Sequence, residues 1–142
     1  MKTINQFRGE YSFLSNFYFA PFEFEEVFYS TAEHAFQSYK THDEHERRLI
    51  RKAKTPGEAR RLGKTVNLRP EWEDIKLGLM KRIVFAKFGQ SQRLKRKLIE
   101  TEDAELIEGN SWHDTFWGVC NGVGENHLGK ILMEVREVLK EG

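Results

Sequence analysis

Residues 29–40 combine acidic, basic, amide and aromatic side chains more densely than any other stretch of the chain. Because Ser30 precedes Glu33 by three residues, the spacing of a capping box, a helix is predicted to begin there. The dipole of that helix favours an anion at its N-terminus. Positions three and four apart share one helical face, and on this helix they bring four different chemical groups together: Glu33, Phe36, Gln37 and Lys40. These groups are sufficient to line a small polar pocket. The alternative is that Glu33 serves only as a capping residue.

A second unusual stretch is the glycine-rich segment 111–129, in which Asp114 lies between Trp112 and Trp117. Glycine permits positive φ angles and a close approach of the backbone to a ligand. Since the segment leads into the last predicted helix, free backbone N–H groups at that helix N-terminus offer a site for phosphate. The spacing matches neither the Walker pattern nor the dinucleotide fingerprint. A purely structural loop is the alternative.

Residues 47–64 carry eight basic side chains and one acidic one, Glu58. A run of this kind usually forms a solvated helical surface, and most of these side chains are assigned to one. Arg60 and Arg61, near a predicted helix end, are candidates for clamping a phosphate. A nucleic-acid-binding module would use the whole run, but the formal net charge of +1 and the absence of a known motif argue against that class.

Composition predicts one compact domain over residues 1–142. The single cysteine, Cys120, excludes an internal disulfide. With no leader-like or long apolar run, we expect a cytoplasmic protein without membrane contact. The pair His42 and His45 lacks a third convergent ligand, so neither a metal nor a cofactor is expected. The 18 aromatic residues, made up of 11 Phe, 4 Tyr and 3 Trp, suit a pocket that stacks a flat heterocycle as well as a core.

Hydrophobic periodicity predicts an α+β fold that is predominantly helical, with a small N-terminal β element. Residues 11–29 show extended segments, with a hairpin around Glu25 and Glu26. The segment Thr55-Pro56-Gly57-Glu58 is a strong helix start. The other elements are predicted as follows: helices over 30–42, over 44–54, from Thr55 to Gly63, onward from Arg69-Pro70, to about Thr101 and from Asn126 to Leu139, and a strand at 106–107.

Motifs in a fixed order extend over nearly the whole chain: Phe13-Leu-Ser-Asn-Phe17, Tyr29-Ser-Thr-Ala-Glu-His-Ala-Phe-Gln37 with Lys40, Ala59-Arg-Arg-Leu-Gly63, Trp72 with Lys76 and Met80, Lys87-Phe88, Asp114-Thr-Phe-Trp-Gly118, Gly124-Glu-Asn-His-Leu-Gly-Lys130 and Leu132-Met-Glu-Val-Arg136. In these motifs the chain resembles the NADAR family of YbiA-like N-glycosidases. It departs from the family at Phe19, where a proline is usual, and at Cys120-Asn121, where family loops vary.

The resemblance implies hydrolysis of a C–N bond to ribose. The implied substrate is either a phosphorylated riboflavin-pathway intermediate of the 5-amino-6-ribosylaminouracil phosphate type, or ADP-ribose attached to guanine in DNA. By motif, the essential Glu, Trp and Asp of the family correspond to Glu33, Trp72 and Asp114. Such a reaction passes through an oxocarbenium-like state and needs a carboxylate near the anomeric carbon and a second group for proton transfer. Which of the two carboxylates is acid and which is base stays open.

Further substrate contacts are predicted on the same grounds, with Trp72 and Trp117 holding the base and Lys40 and Arg61 the phosphate. The full set of predicted binding residues is Asn16, Phe17, Phe36, Lys40, Arg61, Lys76, Trp117, Gly118 and Asn126. The alternative function is a non-catalytic module that binds ADP-ribose or a nucleotide in the same pocket. Two acids add little to phosphate binding, so Glu33 and Asp114 together favour the enzyme.

Overall fold

The structure, a computed structural model, describes residues 2–142. Its chain forms two compact units, one made of residues 2–15 and 88–142 and the other of residues 16–87. Within the described residues, none of the helices combines the length and the apolar character that a membrane crossing requires. The elements in chain order are β1 Thr3–Ile4, a 3₁₀ helix Gly9–Leu14, β2 Phe22–Phe24, β3 Val27–Tyr29, α1 Ala32–Ser38, α2 Glu44–Arg51, α3 Pro56–Gly63, α4 Trp72–Gly89, α5 Gln92–Ile99, β4 Glu105–Leu106 and α6 His127–Glu141. The predicted α+β class, mainly helical, is confirmed, while one domain over 1–142 stays a prediction.

The predicted hairpin is confirmed, because β2 pairs with β3 in antiparallel register, with Phe22 opposite Tyr29. Glu25 and Glu26 both have positive φ, 50° and 70°, as a two-residue type I′ turn requires. Glutamate is an unusual choice there, and Glu25 compensates by accepting a hydrogen bond from the Tyr39 hydroxyl at 2.5 Å and by pairing with Arg82. The hydrogen bond from Tyr39, followed by that from Arg82, lowers the pKa of Glu25.

Helix α1 begins one residue later than predicted. Its N-cap is Thr31, whose hydroxyl accepts a hydrogen bond from the His34 backbone N–H at 3.1 Å. The predicted capping box of Ser30 and Glu33 is therefore wrong, because Thr31 and not Ser30 is the N-cap. Every residue of α1 is buried, and the helix packs against α2 and α3. It ends at Ser38 instead of continuing to residue 42.

The other helix starts in the unit of residues 16–87 follow local capping chemistry. Helix α3 begins as predicted, with the Thr55 hydroxyl accepting from the Glu58 N–H and Pro56 in the first position, and it ends at Gly63. Helix α2 ends at Arg51, three residues before the predicted end. Helix α4 begins at Trp72, beyond the predicted start at Arg69-Pro70.

In the unit of residues 2–15 and 88–142, β1 pairs in parallel with β4, placing Ile4 opposite Leu106. Helix α6 packs against β4 and α5. Residues 9–14 form a 3₁₀ helix, so the extended structure predicted from residue 11 is wrong at its start. The strand predicted at 106–107 lies at 105–106. Five of the six apolar residues that periodicity places on one side of α6 are buried, and the sixth, Val138, is exposed; the buried ones are Leu128, Ile131, Leu132, Val135 and Leu139.

Removing the hydroxyl of Thr31 should destabilise the protein, whereas removing that of Ser30 should not. Thr31→Ala deletes the cap of a buried helix together with a 2.8 Å contact to the His34 ring, so we expect the free energy of unfolding to fall by about 1–2 kcal/mol. Ser30→Ala is the matched control, with an expected change below about 0.5 kcal/mol. Urea denaturation measures both, and a larger loss for Ser30→Ala would contradict the assignment of the cap.

Candidate functional site

The predicted site residues are divided between the two units. The unit of residues 16–87 holds Asn16, Phe17, Glu33, Phe36, Lys40, Arg61, Trp72 and Lys76. The unit that includes residues 88–142 holds Asp114, Trp117, Gly118 and Asn126. That both groups serve one substrate stays a prediction.

Glu33 lies on α1 with only 8% of its surface exposed. Gln37, one turn further along the helix, donates a hydrogen bond from Nε2 to Glu33 Oε2 at 2.7 Å. The backbone N–H of Glu33 donates to the Asn16 carbonyl at 3.0 Å, and the Asn16 carboxamide contacts the sulfur of Met80 at 3.5 Å. Asn16 therefore holds the start of α1 through its main chain. The Glu33 carboxylate is fixed in place by a charge-assisted bond.

The other end of the Gln37 carboxamide is unusual. Its Oε1 is buried and makes no hydrogen bond with any of the residues 2–142. It faces Gly63 so closely that a Cβ atom at that position would lie 1.9 Å from it. A buried acceptor without a partner costs about 1–3 kcal/mol, so such groups usually persist where another requirement holds them.

An aromatic wall adjoins Glu33 on the same helix. The rings of Phe36 and Trp72 lie 5.0 Å apart between centroids and are inclined by 56°. The ammonium group of Lys40 lies 6.0 Å from the centre of the Trp72 ring. Trp72 is buried, whereas Phe17 is exposed. Of the four residues predicted to share a helical face, Glu33, Phe36 and Gln37 lie on α1, whereas Lys40 lies two residues beyond its end and approaches the Trp72 ring that packs against Phe36.

Positive charge surrounds Lys40. Burial lowers the pKa of Lys40, the Glu33 carboxylate opposes that shift, and the cations of Arg60, Lys64 and Lys76 lower the pKa further. Lys76 also pairs with the exposed Glu73 at 2.6 Å. We call Lys40, Arg60, Lys64 and Lys76 the cation cluster. Arg60 lies on α3, and Lys64 is the residue that caps the end of that helix. In the sequence, the spacing of four residues between Arg60 and Lys64 indicates that both lie on the same side of a helix.

Arg61, which was predicted to bind the phosphate, is exposed, whereas its neighbour Arg60 is half-buried. Adjacent residues of a helix face different directions, so only one of the two can point towards Lys40. Arg60 is the one that acts on the Lys40 ammonium group. The binding of phosphate by Arg61 stays a prediction.

Asp114 is half-buried and tightly held by its own loop. Its Oδ1 accepts hydrogen bonds from the backbone N–H groups of Phe116 at 3.1 Å and Trp117 at 2.9 Å. Asn110 bonds the main chain of Asp114 on both sides, at 3.0 Å to its N–H and 2.9 Å to its carbonyl. The same Asn110 amide group donates to Glu108 Oε1 at 3.1 Å. The sequence does not predict the roles of Asn110 and Glu108, because their hydrogen bonds around Asp114 depend on the folded conformation of the loop.

The N-terminus of α6 does not offer the free N–H groups that were predicted. The chain doubles back, so that consecutive N–H groups from Glu125 to Leu128 donate to the carbonyls of residues 115–118 at 2.8–3.3 Å. The expectation of a phosphate site on these N–H groups is therefore wrong. The glycine-rich segment uses its tight turns for backbone pairing instead.

Asn126 and Gly118 are part of this pairing. The Asn126 carboxamide accepts from the Glu108 N–H and donates to the Leu106 carbonyl, both at 2.9 Å, so it holds α6 to β4. A Cβ atom at Gly118 would lie 2.1 Å from the Glu108 carbonyl oxygen, which excludes any larger residue. Trp117 is half-buried in an aromatic group with Phe116 and His127. Contact of these residues with substrate stays a prediction.

Groups that commonly bind metals have other partners. Among residues 2–142, no three His, Cys, Asp or Glu side chains lie close enough together to hold a metal ion. His42 contacts Glu71 at 3.1 Å, and Cys120 is buried as a free thiol. The structure therefore presents no candidate metal centre within that range.

Comparison with known proteins agrees with this architecture. The NADAR domain model matches residues 4–140 of the chain. The N-glycosidase YbiA of Escherichia coli is 38% identical over 133 residues, which are 92% of this chain and 82% of that protein. The riboflavin biosynthesis protein VVA0006 of Vibrio vulnificus is 37% identical over 134 residues, 92% of this chain and 36% of that protein.

The solved structures give the same result. The NMR structure of Escherichia coli YbiA matches with a TM-score of 0.88 and 36% sequence identity, and the match covers 99% of this chain and 88% of that one. The fold is thus the one that the NADAR domain defines. The chain belongs to the NADAR family, as the motifs predict.

Lys87 belongs to one of the family motifs but is not among the residues predicted to be catalytic. It is buried in α4, and its ammonium nitrogen lies 5.8 Å from the centre of the Tyr18 ring. Burial lowers the pKa of Lys87 to about 7, from an ordinary value of 10.5. In the folded protein this lysine therefore loses its charge near neutral pH, whereas in the unfolded chain it keeps the proton up to about pH 10.4.

This difference predicts that the protein becomes more stable as the pH rises above 7. Between the two pKa values the unfolded chain binds the extra proton, so the contribution of Lys87 increases with pH at up to about 1.4 kcal/mol per unit. Urea denaturation between pH 7 and 9.5 should show this slope, and Lys87→Met should remove it. Lys130→Met, at an exposed position of α6, should keep the slope. An unchanged slope in Lys87→Met would rule out the low pKa.

Proposed function

We propose that this protein hydrolyses the C–N bond between a heterocyclic base and the ribose of a phosphorylated N-riboside. The enzyme class follows from the family: the chain belongs to the NADAR family, and its relatives are named N-glycosidases, which are hydrolases acting on N-glycosyl bonds. One observation carries the assignment of the substrate. A buried, hydrogen-bonded carboxylate, that of Glu33, lies beside a cluster of four cations.

The carboxylate suits the ribosyl half of the reaction. As the C–N bond breaks, positive charge develops on the ring oxygen and the anomeric carbon, and a fixed carboxylate stabilises that charge more effectively than water does. Glu33 takes this role or orients the attacking water, whose oxygen forms the new bond to the anomeric carbon. The departing base receives a proton, and Asp114 is proposed as the partner in proton transfer. Trp72 and Trp117 are proposed to hold the base.

The cation cluster suits the phosphate. The cations of Arg60, Lys64 and Lys76 each repel the Lys40 ammonium group, and Glu33 is the counter-charge that acts on it, so a dianionic phosphate would relieve the repulsion. The name of the Vibrio vulnificus relative, a riboflavin biosynthesis protein, supports an intermediate of that pathway as the substrate, of the ribosylaminouracil phosphate type.

ADP-ribose attached to guanine in DNA is the second candidate substrate. The observation in its favour is that α2, α3 and the residues following each carry five exposed basic side chains: Arg48, Lys52, Lys54, Arg61 and Lys64. Such side chains can contact a phosphodiester backbone, and binding through them would weaken steeply with added salt. Release of free base from ribosylaminouracil phosphate and from ADP-ribosylated DNA, compared at equal enzyme concentration, decides between the two candidates.

Glu33→Gln should abolish most of the activity. The substitution keeps the shape of the side chain but removes the charge that stabilises the transition state, so we expect kcat to fall about a hundredfold or more on whichever substrate is turned over. The measurement is release of the free base followed by chromatography.

Glu26→Gln is the matched control for this substitution. Glu26 is exposed in the hairpin turn, so the same chemical change there should leave kcat as in the wild type. The melting temperature of each variant shows whether it is folded. Full turnover by a folded Glu33→Gln enzyme would overturn the role of this carboxylate.

Lys40→Met should impair the recognition of phosphate selectively. Loss of a charge-assisted contact of about 1.5 kcal/mol should raise KM for the phosphorylated riboside about tenfold. KM for the dephosphorylated riboside should change much less, since that compound never makes the contact. Lys130→Met, at an exposed position of α6, is the control. Equal effects on both substrates would place Lys40 outside the phosphate site.

A further inference from the structure

We infer that Gln37 is a positioning residue for the Glu33 carboxylate, and that position 63 is glycine because it must admit the Gln37 carboxamide. The inference rests on the proposed function, since it takes Glu33 to be the carboxylate that acts on the substrate. It adds two residues, one on α1 and one at the end of α3, that do not contact the substrate and act through Glu33.

Within the described chain, Gln37 makes one hydrogen bond through its carboxamide, and that bond is to the Glu33 carboxylate. Only 4% of its surface is exposed, and its Nε2 donates to Glu33 Oε2 at 2.7 Å. Its Oε1 is buried without a partner among residues 2–142. A methionine of similar length would fill the same space and leave no orphaned acceptor. The carboxamide is therefore explained by its donor end, which holds Oε2 of Glu33 in a fixed direction.

The backbone gives no reason for a glycine at position 63. Gly63 lies in the last turn of α3, and its φ is not in the left-handed region that favours glycine. An alanine would be the better helix former. A Cβ atom there, however, would lie 1.9 Å from Gln37 Oε1 and 2.8 Å from its Cδ. Space for the carboxamide is thus what the glycine provides.

This arrangement permits a test that leaves Gln37 itself in place. In Gly63→Ala the new methyl group collides with the flexible end of the Gln37 side chain, so the carboxamide must turn away from its present position. The helix keeps its backbone conformation. The donor then no longer reaches Glu33, and the ionised carboxylate loses a hydrogen bond that favours the charged form.

The experiment compares Gly63→Ala, Gln37→Met, Gln37→Ala and the double variant Gly63→Ala with Gln37→Ala. Each is assayed for kcat, KM and the pH dependence of kcat/KM on the substrate that the wild type turns over. Gly78→Ala is the matched control, because it makes the same change in α4 at a position where a Cβ atom meets nothing within 4 Å. Circular dichroism across the pH range identifies any variant that unfolds in acid.

Gly63→Ala and Gln37→Met should each lower kcat about tenfold with KM within about twofold, and should move the acid limb of the profile upward by about one pH unit. Gly63→Ala should add less than about twofold to the loss in Gln37→Ala, because the two closest atoms, Oε1 and Cδ, are then absent and only the Cβ atom of residue 37 remains, 3.3 Å from the new methyl group. Gly78→Ala should behave as the wild type. Unfolding in acid would also move the acid limb upward, so the comparison uses only the pH range over which circular dichroism shows each variant to be folded.

Two results would overturn the inference: a wild-type acid limb in both Gly63→Ala and Gln37→Met, or full additivity of Gly63→Ala and Gln37→Ala. Glu33→Gln separates these from a failure of the proposed function. If Glu33→Gln is inactive while Gly63→Ala and Gln37→Met keep the wild-type profile, Glu33 is catalytic and needs no help from Gln37. If Glu33→Gln is fully active, the proposed function itself is wrong.

Discussion

The structure depends on the way it accommodates a carboxylate inside a short, fully buried helix. Every residue of α1 is buried, so the charge of Glu33 has little contact with water and must be stabilised by protein groups. The Gln37 amide does so from one turn away, and the Lys40 ammonium group does so through its field. The close packing of α3 against α1, with glycine at the contact, follows from keeping that amide in place.

The sequence predicted those parts of the fold that local chemistry determines. The start of α3 was found because Thr55, Pro56 and Glu58 form a complete signal within four residues. The start of α1 was missed by one residue because Ser30 and Thr31 are equally good caps. The choice between them depends on His34, whose ring contacts the Thr31 hydroxyl at 2.8 Å and the carbonyl of Ala53 at 3.0 Å, and that second contact is distant in sequence.

The difference between local chemistry and contacts distant in sequence also explains which site residues could be predicted. Glu33, Phe36 and Lys40 were predicted from helical spacing, and the family motifs added Trp72 and Asp114; the roles of these residues stay predictions. Arg60 and Arg61 were both candidates and Arg61 was the one predicted to bind phosphate, because the sequence does not show which of them acts on Lys40. Asn110 was missed because its bonds to Asp114 exist only in the folded loop. The phosphate site predicted at α6 was wrong because sequence does not show that the carbonyls of residues 115–118 take those N–H groups.

The cation cluster also bears on which compounds the enzyme leaves intact. A cell contains many neutral nucleosides whose C–N bond is chemically similar to that of a phosphorylated riboside. A neutral nucleoside brings no negative charge, so it leaves the repulsion that Arg60, Lys64 and Lys76 exert on Lys40 unrelieved and gains nothing from these side chains. In the proposed function, the free nucleoside pool is therefore spared because only a substrate that carries a phosphate gains binding energy from these side chains.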